Sequence, residues 1–375
     1  HSIQQKMLEP QHTIEQLSRL ISKSMLTFKE SATLLFECIF PLLVTLCWIF
    51  EDLSSYVLME SITGGIPAYQ GVIKKLVLHS YKNKIREIME SLKKFWPKNK
   101  FGKAQLVKVN ACEAEIIKML KIYSMVLWIG YVAFVSMPLV QTKNLPVTWV
   151  TFCDIENNIY CYIFNYVLQS LCIAKLMHLL LSLDTLLFVL LWHGYCELEK
   201  IKYGLAHLGE NDFTETVAVQ DMASLVKQHS LVLIYIQKIF DLFSNLLLFQ
   251  LLTSSTGLCA CLFVLKAEDE ASIVAALTYV PYLCGCLLQA FLYCGIGQTI
   301  YRQTSSVADA AYASNWVQKN APTQRKALCF IIQRAQKPEQ MTAGGVFALN
   351  METFISMVKG ALSVVAFLQA VYHSK

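Results

Sequence analysis

The sequence predicts an all-α membrane protein with seven transmembrane helices. Of its 375 residues, 55% are hydrophobic and only 16% are charged, whereas soluble domains carry about 25% charged residues. The apolar residues form seven segments, each at least as long as the roughly 17 residues that a helix needs to cross a bilayer. The predicted spans cover about residues 34–50, 53–78, 119–140, 168–195, 242–265, 273–300 and 340–372.

Helix-breaking residues mark the first three spans. Span 1 contains Pro41, which predicts a kink, and span 3 ends near Pro138. Span 2 is interrupted by Gly64 and Gly65 ahead of Pro67, a pattern that bends a helix or lets another group approach its backbone. A basic amphipathic segment follows span 2, and its apolar face is expected to pack on a partner or on a membrane surface. This face consists of Ile85, Ile88, Met89 and Leu92.

Span 4 contains three ionisable residues, Lys175, His178 and Asp184. A helix that faces lipid tolerates such groups only at high cost, so this span is expected to face protein. The spacing of His178 with Asp184, and of His193 with Glu197, suits packing contacts better than catalysis. The sequence shows no nucleophile, oxyanion donor and second base together, so we predict no catalytic residues, no metal site and no cofactor.

The last span has one distinctive face. From residue 344 to residue 371 it carries only two charged residues, Glu352 and Lys359. Four small or apolar residues follow one another at steps of four, three and four, which places them on one stripe of a helix. The stripe consists of Gly360, Val364, Phe367 and Val371. We hypothesise that this stripe faces the axis of an oligomeric pore.

The distribution of charge predicts the topology. Lys and Arg concentrate in the N-terminal segment and after spans 2, 4 and 6, so the positive-inside rule places the N-terminus in the cytoplasm and the C-terminus outside. This orientation is the reverse of that of a G-protein-coupled receptor. We expect the first span to target the chain, because residues 1–28 contain no compact apolar signal region. The predicted divisions are a cytoplasmic N-terminal segment (1–30), spans 1–4 (31–195), a cytoplasmic extension of spans 4 and 5 (196–241), spans 5 and 6 (242–300), a cytoplasmic anchor helix (301–339) and span 7 (340–375).

Charge and cysteine content argue against two further classes of site. The net charge of +5 does not indicate nucleic-acid binding, because the basic residues lie between apolar segments and not in a stripe with aromatic residues. Close cysteine pairs such as Cys259 and Cys261 lack the spacing of zinc ligands. Cys153 and Cys161 lie in a polar stretch that the topology places outside the cell, where a disulfide can persist. The sequence leaves open whether that bond forms.

Two stretches near the C-terminus, residues 289–338 and 342–368, carry an ordered set of features that resembles the C-terminal region of insect odorant receptors. The related gustatory receptors carry a TYxxxxxQF motif near the end, from which the stretch Ser363 to Ala370 departs. The chain resembles a variable receptor subunit more than the shared co-receptor, because it lacks a long insertion between spans 4 and 5. The matching features are Tyr293-Cys294 with Gly297, Ala310 with Tyr312 and Trp316, Arg334 with Gln336 and Pro338, Gly344 or Gly345 with Phe347, and Thr353-Phe354 with Lys359 and Ser363.

This resemblance implies a ligand-gated, non-selective cation channel in the plasma membrane of a sensory dendrite. Four subunits surround one pore, receptor subunits combine with the co-receptor, and monovalent and divalent cations pass. In such channels the last helix lines the pore, and a cytoplasmic anchor made from spans 4 to 7 holds most subunit contacts. The resemblance places the pore constriction on Phe367 and Val371, and membrane lipid surrounds the channel. The acidic turn Glu268, Asp269 and Glu270 would then lie at the outer vestibule and concentrate cations.

The resemblance also implies a binding pocket for a small, neutral, volatile ligand. The pocket lies in the outer half of the bundle, among spans 2, 3, 4 and 6, and aromatic side chains with few polar groups suit such a ligand. The expected ligand-binding residues are Tyr69, Trp128, Tyr131, Phe134, Val135, Phe164, Tyr279 and Tyr282.

Three alternatives stay open at this point. A gustatory-type channel would conduct as a homotetramer without a co-receptor. A G-protein-coupled receptor would need an outside N-terminus and usually carries a DRY-like motif after span 3 and an NPxxY-like motif in span 7, neither of which occurs in this sequence. A transporter would be expected to show inverted repeats with paired broken helices, which the sequence does not display.

Overall fold

The computed structural model describes residues 55–140, 145–146, 153–155, 157–208, 215–267, 273–314, 316 and 322–373. Within these residues the chain forms eight α-helices and one short β-hairpin. Predicted span 1 and residues 268–270 of the acidic turn lie outside the described residues. The elements are α1 (Ser55–Ser80), α2 (Lys82–Leu92), α3 (Lys103–Val140), α4 (Ile159–Ala206), α5 (Glu215–Ala267), α6 (Ile273–Tyr312), α7 (Pro322–Ala335), β1 (Thr342–Ala343), β2 (Phe347–Ala348) and α8 (Met351–His373).

The predicted all-α membrane fold is confirmed. Among the described residues, helices α3, α4, α5, α6 and α8 are long and apolar enough to cross a membrane. Helix α1, which holds predicted span 2, is less apolar because it carries polar residues such as Gln70 and Lys74. Both side chains are buried in the protein, so they do not meet lipid.

Helices α4 and α5 are much longer than a bilayer is thick. They contain 48 and 53 residues, which corresponds to about 72 and 80 Å at 1.5 Å per residue. The hydrocarbon core is roughly 30 Å thick, so both helices continue far beyond it. Residues 196–206 of α4 and 215–241 of α5 are the parts that the sequence predicts to lie in these extensions.

A large buried core runs along the described parts of α4 and α5 and into their extensions. Leu190, Leu198 and Ile236 have 0% exposed surface and belong to one core shared by α4, α5 and α6. The apolar face of α2 is buried in the same core. The predicted packing of this amphipathic segment on a partner is therefore confirmed, and the partner is α5 of the same chain.

A buried ion pair ties the segment after α2 to this core. The carboxylate of Glu197 accepts hydrogen bonds from the Trp96 backbone N–H at 3.0 Å and from the Gln228 amide at 2.6 Å. Lys200 pairs with Glu197 and donates to the Trp96 carbonyl. Glu197, which lies one helical turn from His193 in the sequence, therefore has a structural role: it links α4 to α5 and to the segment that contains Trp96.

Two predicted boundaries are wrong. The segment 301–339 is not one anchor helix, because α6 ends at Tyr312 and α7 begins separately at Pro322, a residue suited to the first turn of a helix. The last helix begins at Met351 and not at residue 340, because residues 342–348 form the hairpin of β1 and β2. Gly344 and Gly345 make its turn with φ of 61° and 72°, a left-handed conformation that favours glycine.

Candidate functional site

A cavity of about 80 Å³ lies between α1, α3, α4 and α6. It is several times larger than the roughly 10–15 Å³ that one water molecule requires, and most of its wall is apolar. The cavity is lined by Thr63, Pro67, Ala68 and Gln70 of α1, Tyr123, Val126, Leu127, Gly130, Tyr131 and Phe134 of α3, Ile173, Leu176, Met177 and Leu180 of α4, and Pro281, Tyr282, Gly285, Cys286 and Gln289 of α6.

Small residues at facing positions keep this space open. A Cβ atom added to Gly130 would lie 3.7 Å from the Cβ atom of Pro281, and one added to Gly285 would lie 3.4 Å from Cδ2 of Leu127. Ala68 contributes only a methyl group to the wall of α1. The helix backbones therefore approach each other closely, while the side chains between them have too little volume to fill the gap.

Hydrogen bonds and close contacts fix the helices around the cavity. The hydroxyl of Tyr166 on α4 donates to the Val135 carbonyl of α3 at 2.8 Å, and the hydroxyl of Tyr131 donates to the Ser170 carbonyl at 3.2 Å. Each of these bonds joins the C-terminal part of α3 to the N-terminal part of α4. This part of the wall is thus held by polar contacts beside an apolar space.

The structure contains the disulfide between Cys153 and Cys161, with their Cα atoms 6.3 Å apart. Cys153 lies before α4 and Cys161 lies in its first turn, so the bond ties the preceding segment to the start of this helix. Asn158 caps this helix, since its side-chain oxygen accepts from the Tyr160 N–H at 3.0 Å and from the Cys161 N–H at 3.4 Å. Together the cap and the disulfide hold the start of α4, the helix that supplies one wall of the cavity.

A buried polar network forms the floor of the cavity. Asp184 of α4 pairs with Lys74 of α1 at 2.5 Å, and the two side chains are 2% and 1% exposed. The carboxylate also accepts from the Tyr123 hydroxyl at 2.6 Å, from the Gln289 amide at 2.8 Å and from the Tyr293 hydroxyl. Four donors therefore satisfy one carboxylate, as a buried charge requires.

On α1 and α4 this network lies one helical turn below the cavity. Lys74 follows the lining residue Gln70 by four positions, and Asp184 follows Leu180 by four positions. Tyr123 and Gln289 belong to both the network and the cavity wall. Asp184 is buried as span 4 was expected to require, whereas Lys175 and His178 of the same helix are exposed on this chain.

Helix α8 presents the predicted stripe away from the rest of the chain. Val364 and Phe367 are 48% and 67% exposed, and a Cβ atom added to Gly360 would meet no described atom within 4 Å. Ala361 and Val365, on the opposite face, are buried. Val371 falls in the last turns of α8, where the described part of the structure does not include side chains.

Helix α6 joins the cavity to α8. Its Phe291 ring packs edge-on against Phe354 of α8, with the ring centroids 5.7 Å apart. Farther along α6, the side-chain oxygen of Gln298 accepts from the Met351 N–H, the first residue of α8, at 3.0 Å. Gly297 lies against Leu349, since an added Cβ atom would come within 2.5 Å of the Leu349 carbonyl oxygen. Helix α6 therefore contacts both the cavity and the start of α8.

Comparison with known proteins identifies the family. The family model described as 7tm Odorant receptor matches residues 57–362. The chain belongs to the odorant receptor family. Among its relatives, Odorant receptor 13a of Drosophila melanogaster is 22% identical over 245 residues, which are 62% of this chain and 59% of the relative. Odorant receptor 10 of Aedes albopictus is 28% identical over 150 residues, or 40% and 39% of the two chains. The matched segments thus span about half of these relatives.

A solved structure has the same fold. The insect olfactory receptor OR5 from Machilis hrabei, in complex with eugenol, superposes with a TM-score of 0.83 at 16% identity and covers 96% of this chain and 98% of its own. The family-model match confirms the predicted resemblance to insect odorant receptors, and the superposition confirms the fold. The chain is a multi-pass protein of the plasma membrane and a member of a receptor family.

In this odorant receptor chain, three of the eight expected ligand-binding residues line the cavity. They are Tyr131, Phe134 and Tyr282. The other five lie outside its wall. Trp128 and Phe164 are 39% and 65% exposed on the surface, Tyr279 is buried beside Cys261 and Val264, and Tyr69 and Val135 are partly buried.

A choice of ligand-binding residues based on aromatic side chains in the sequence misses the polar residues of the cavity wall. Tyr282, Cys286, Gln289 and Tyr293 of α6 follow one another at steps of four, three and four, so they share one face of that helix. This spacing places polar side chains such as Gln289 on one face of an apolar span. It is the signal in the sequence that could have indicated a stripe facing the interior of the bundle.

Proposed function

We propose that this chain is the ligand-binding subunit of an odorant-gated, non-selective cation channel. A small neutral volatile compound binds in the cavity between α1, α3, α4 and α6 and opens a pore lined by α8. The chain acts as a heterotetramer with the odorant receptor co-receptor, in the dendritic membrane of a sensory neuron. It works without a cofactor and without catalytic residues.

The observation that carries this proposal is the position of α6. This helix lines the cavity with Tyr282 and Gln289 and then contacts the start of α8 through Phe291 and Gln298. A ligand can shift an equilibrium only by its difference in affinity for the two states. A ligand that fits the cavity better in one position of α6 therefore favours the arrangement of α8 that accompanies that position.

The gate is proposed at the exposed stripe of α8. Phe367 and Val371, with Val364 and Gly360 on the same face, would form rings of small and apolar groups where four copies of α8 meet. An apolar ring closes a pore because an ion cannot lose its hydration shell there at low cost. Gly360, Val364 and Phe367, the described members of the stripe, are exposed, as a surface at the pore axis must be.

The remaining elements of the proposal concern ions and partners. Glu268, Asp269 and Glu270 would form an acidic outer vestibule that concentrates monovalent and divalent cations. Pairing with a co-receptor is supported by the similarity to the Odorant receptor coreceptor of Anopheles gambiae, which is 29% identical over 135 residues, 36% of this chain and 27% of that protein. Tyr131, Phe134 and Tyr282 are the proposed aromatic contacts of the ligand.

The test is whole-cell current in cells that express this chain, an insect co-receptor, or both, during exposure to volatile compounds while G-protein signalling is blocked. We expect odorant-evoked cation current only when both proteins are present. Replacement of Phe367 by alanine should raise the leak current, whereas replacement of Phe330, which is equally exposed on α7 at 70%, should not alter permeation. Current from this chain alone would favour a self-sufficient homotetramer, and silence despite surface expression would contradict the proposal.

A further inference from the structure

The hydroxyl of Tyr282 is a buried hydrogen-bond donor without a partner. The Tyr282 side chain of α6 lines the cavity, and its hydroxyl oxygen has no hydrogen-bond partner among the residues that the structure describes. A buried hydroxyl without a hydrogen bond is costly, so most such groups in proteins are satisfied. An exception in the wall of a cavity points to a partner that enters the cavity.

The surroundings of this hydroxyl explain why the chain itself does not satisfy it. A Cβ atom added to Gly257 of α5 would lie 2.6 Å from the Tyr282 oxygen, so the hydroxyl lies against a residue without a side chain. Gly257 is in the interior of α5, where backbone carbonyls accept hydrogen bonds within the helix. The Cys286 thiol lies beside the hydroxyl, one turn along α6, but sulfur is a weak acceptor. The proton of Tyr282 therefore stays available to a ligand.

Two glutamine amides add donors to the same wall. The Gln289 carbonyl accepts from Gln250 at 2.8 Å, and one of its N–H groups donates to Asp184 at 2.8 Å. Gln70 donates one N–H to the Thr253 hydroxyl at 2.7 Å. Because an amide nitrogen carries two hydrogens, each of these two lining residues keeps a second N–H beyond these bonds. A mostly apolar space thus has donors for an oxygen atom.

Tyr131 provides the contrast within the same cavity. Its side chain also lines the space, but its hydroxyl donates to the Ser170 carbonyl at 3.2 Å. The protein therefore uses the proton of Tyr131 and leaves that of Tyr282 free. The two tyrosines present the same kind of aromatic surface and differ in whether the hydroxyl is engaged.

We propose that Tyr282 recognises an oxygen atom of the ligand, so that the cavity binds odorants with a hydrogen-bond-accepting oxygen, such as ketones and esters, in preference to hydrocarbons of the same shape. This inference rests on the proposed ligand-gated function and names the chemical class of its ligand. A wall without donors would favour the hydrocarbon, because a carbonyl oxygen loses its hydrogen bonds to water when it is buried. The bond from Tyr282 offsets that loss and also satisfies the buried hydroxyl.

The experiment measures odorant-evoked current in cells that express this chain with the co-receptor. The odorants are matched pairs in which only the C=O group is replaced by C=CH₂, such as acetophenone with α-methylstyrene and cyclohexanone with methylenecyclohexane. The readout is the ratio of half-maximal concentrations within each pair, which does not depend on expression level. In the unmodified channel the ketone should act at the lower concentration.

Two phenylalanine variants separate a free donor from an engaged one. Tyr282→Phe removes the hydroxyl without a partner, and Tyr131→Phe removes a hydroxyl that already binds a backbone carbonyl. We expect Tyr282→Phe to shift the ratio about tenfold toward the hydrocarbon, the worth of one net hydrogen bond. Tyr131→Phe should preserve the preference for the ketone, because its proton does not take part in recognition.

Thermal unfolding in detergent without odorant gives a second, independent readout. Tyr282→Phe deletes an unsatisfied hydroxyl, so it should not lower the unfolding midpoint, whereas Tyr131→Phe should lower it because a bond between α3 and α4 is lost. A lower midpoint for Tyr282→Phe would show that its hydroxyl has a partner within the protein, and this result would overturn the inference.

The inference is also overturned if the unmodified channel responds to the hydrocarbons at lower concentration than to the ketones, or if the ratio is unchanged in Tyr282→Phe. A panel in which only hydrocarbons evoke current has the same consequence. Each of these outcomes leaves the odorant-gated channel intact. No current with any volatile compound, despite surface expression of both chains, would instead contradict the proposed function on which the inference rests.

Discussion

The two ends of the same helices are packed in opposite ways. Toward the extensions of α4 and α5, residues such as Leu198 and Ile236 have no exposed surface and close the core completely. Toward the opposite end, a cavity lies between α1, α3, α4 and α6, and Gly130 and Gly285 stand in its wall. This difference shows that one helical bundle can form a closely packed base at one end and a binding site at the other. The side chains fill the space between the helices at the base but not at the cavity.

The largest expected effect concerns the boundary between the two regions. Lys74→Met leaves Asp184 buried without its countercharge, and breaking a buried pair in this way costs about 3–5 kcal/mol. We expect a corresponding fall in the free energy of unfolding, measured by thermal denaturation in detergent. Lys175→Met is the matched control, because Lys175 is exposed on α4 and should change stability by less than about 0.5 kcal/mol. Equal losses for both would show that the network does not join the two regions.

A pair of leucine truncations compares the packing directly. Leu198→Ala removes a side chain from the closed core and should cost about 2–5 kcal/mol. Leu180→Ala removes a side chain that already borders the cavity, so fewer contacts are lost and the cost should be about 2 kcal/mol or less. Thermal unfolding of both variants under the same conditions checks the difference. Equal costs would mean that the outer half is as closely packed as the base.

The base should also be sensitive to acid. Burial, with a smaller contribution from the positive charge of Arg334, lowers the pKa of His229 from 6.5 to about 4. The unfolded chain then binds more protons than the folded chain between those values, so His229 contributes stability that is fully present above pH 6.5 and is lost as the pH falls toward 4. Acidification from pH 7 to pH 5 should cost about 2 kcal/mol.

Replacement of His229 by glutamine isolates this contribution. The variant keeps a polar side chain of similar size but does not titrate, so its unfolding midpoint should change less between the two pH values. A pH dependence identical to that of the unmodified chain would show that His229 is not the group responsible.

The smallest effect is expected at the surface of the base. Lys238 and Glu87 form an ion pair at 2.5 Å, but the side chains are 41% and 62% exposed. Exposed pairs contribute about 0–1 kcal/mol and are screened by salt. Lys238→Ala should therefore change the free energy of unfolding by less than about 1 kcal/mol at low salt and by less still at high salt. A larger loss would indicate that this pair belongs to the base itself.

The helices of this fold could be predicted because their cause is local. Long apolar runs predict the spans, the spacing of Ile85, Ile88 and Leu92 predicts the buried face of α2, and the cost of a charge in lipid predicts the burial of Asp184. The hairpin ahead of α8 was missed because Gly344 and Gly345 sit inside an apolar run, and hydropathy does not register a left-handed backbone.

The cavity could be predicted only in part, because it depends on contacts between helices. Which side of α4 faces inward is decided by packing between helices, so Phe164, predicted from its position along the chain to line the pocket, lies on the surface. The wall of the space depends on pairs from two helices, Gly130 with Pro281 and Gly285 with Leu127, and no single segment of the sequence reveals these pairs. Aromatic content indicated Tyr131 and Phe134 but not the polar residues Gln70 and Gln289 of the same wall.

The most direct test of the central claim, that the outer cavity is the ligand site, is to fill it. Gly285→Leu places a bulky side chain in the wall, whereas Gly285→Ala adds one methyl group at ordinary contact distance from Leu127. With surface expression matched, odorant-evoked current should require at least about tenfold more odorant in Gly285→Leu, corresponding to 1.4 kcal/mol, and nearly the normal amount in Gly285→Ala. An unchanged concentration dependence in Gly285→Leu would contradict the account and place the ligand elsewhere.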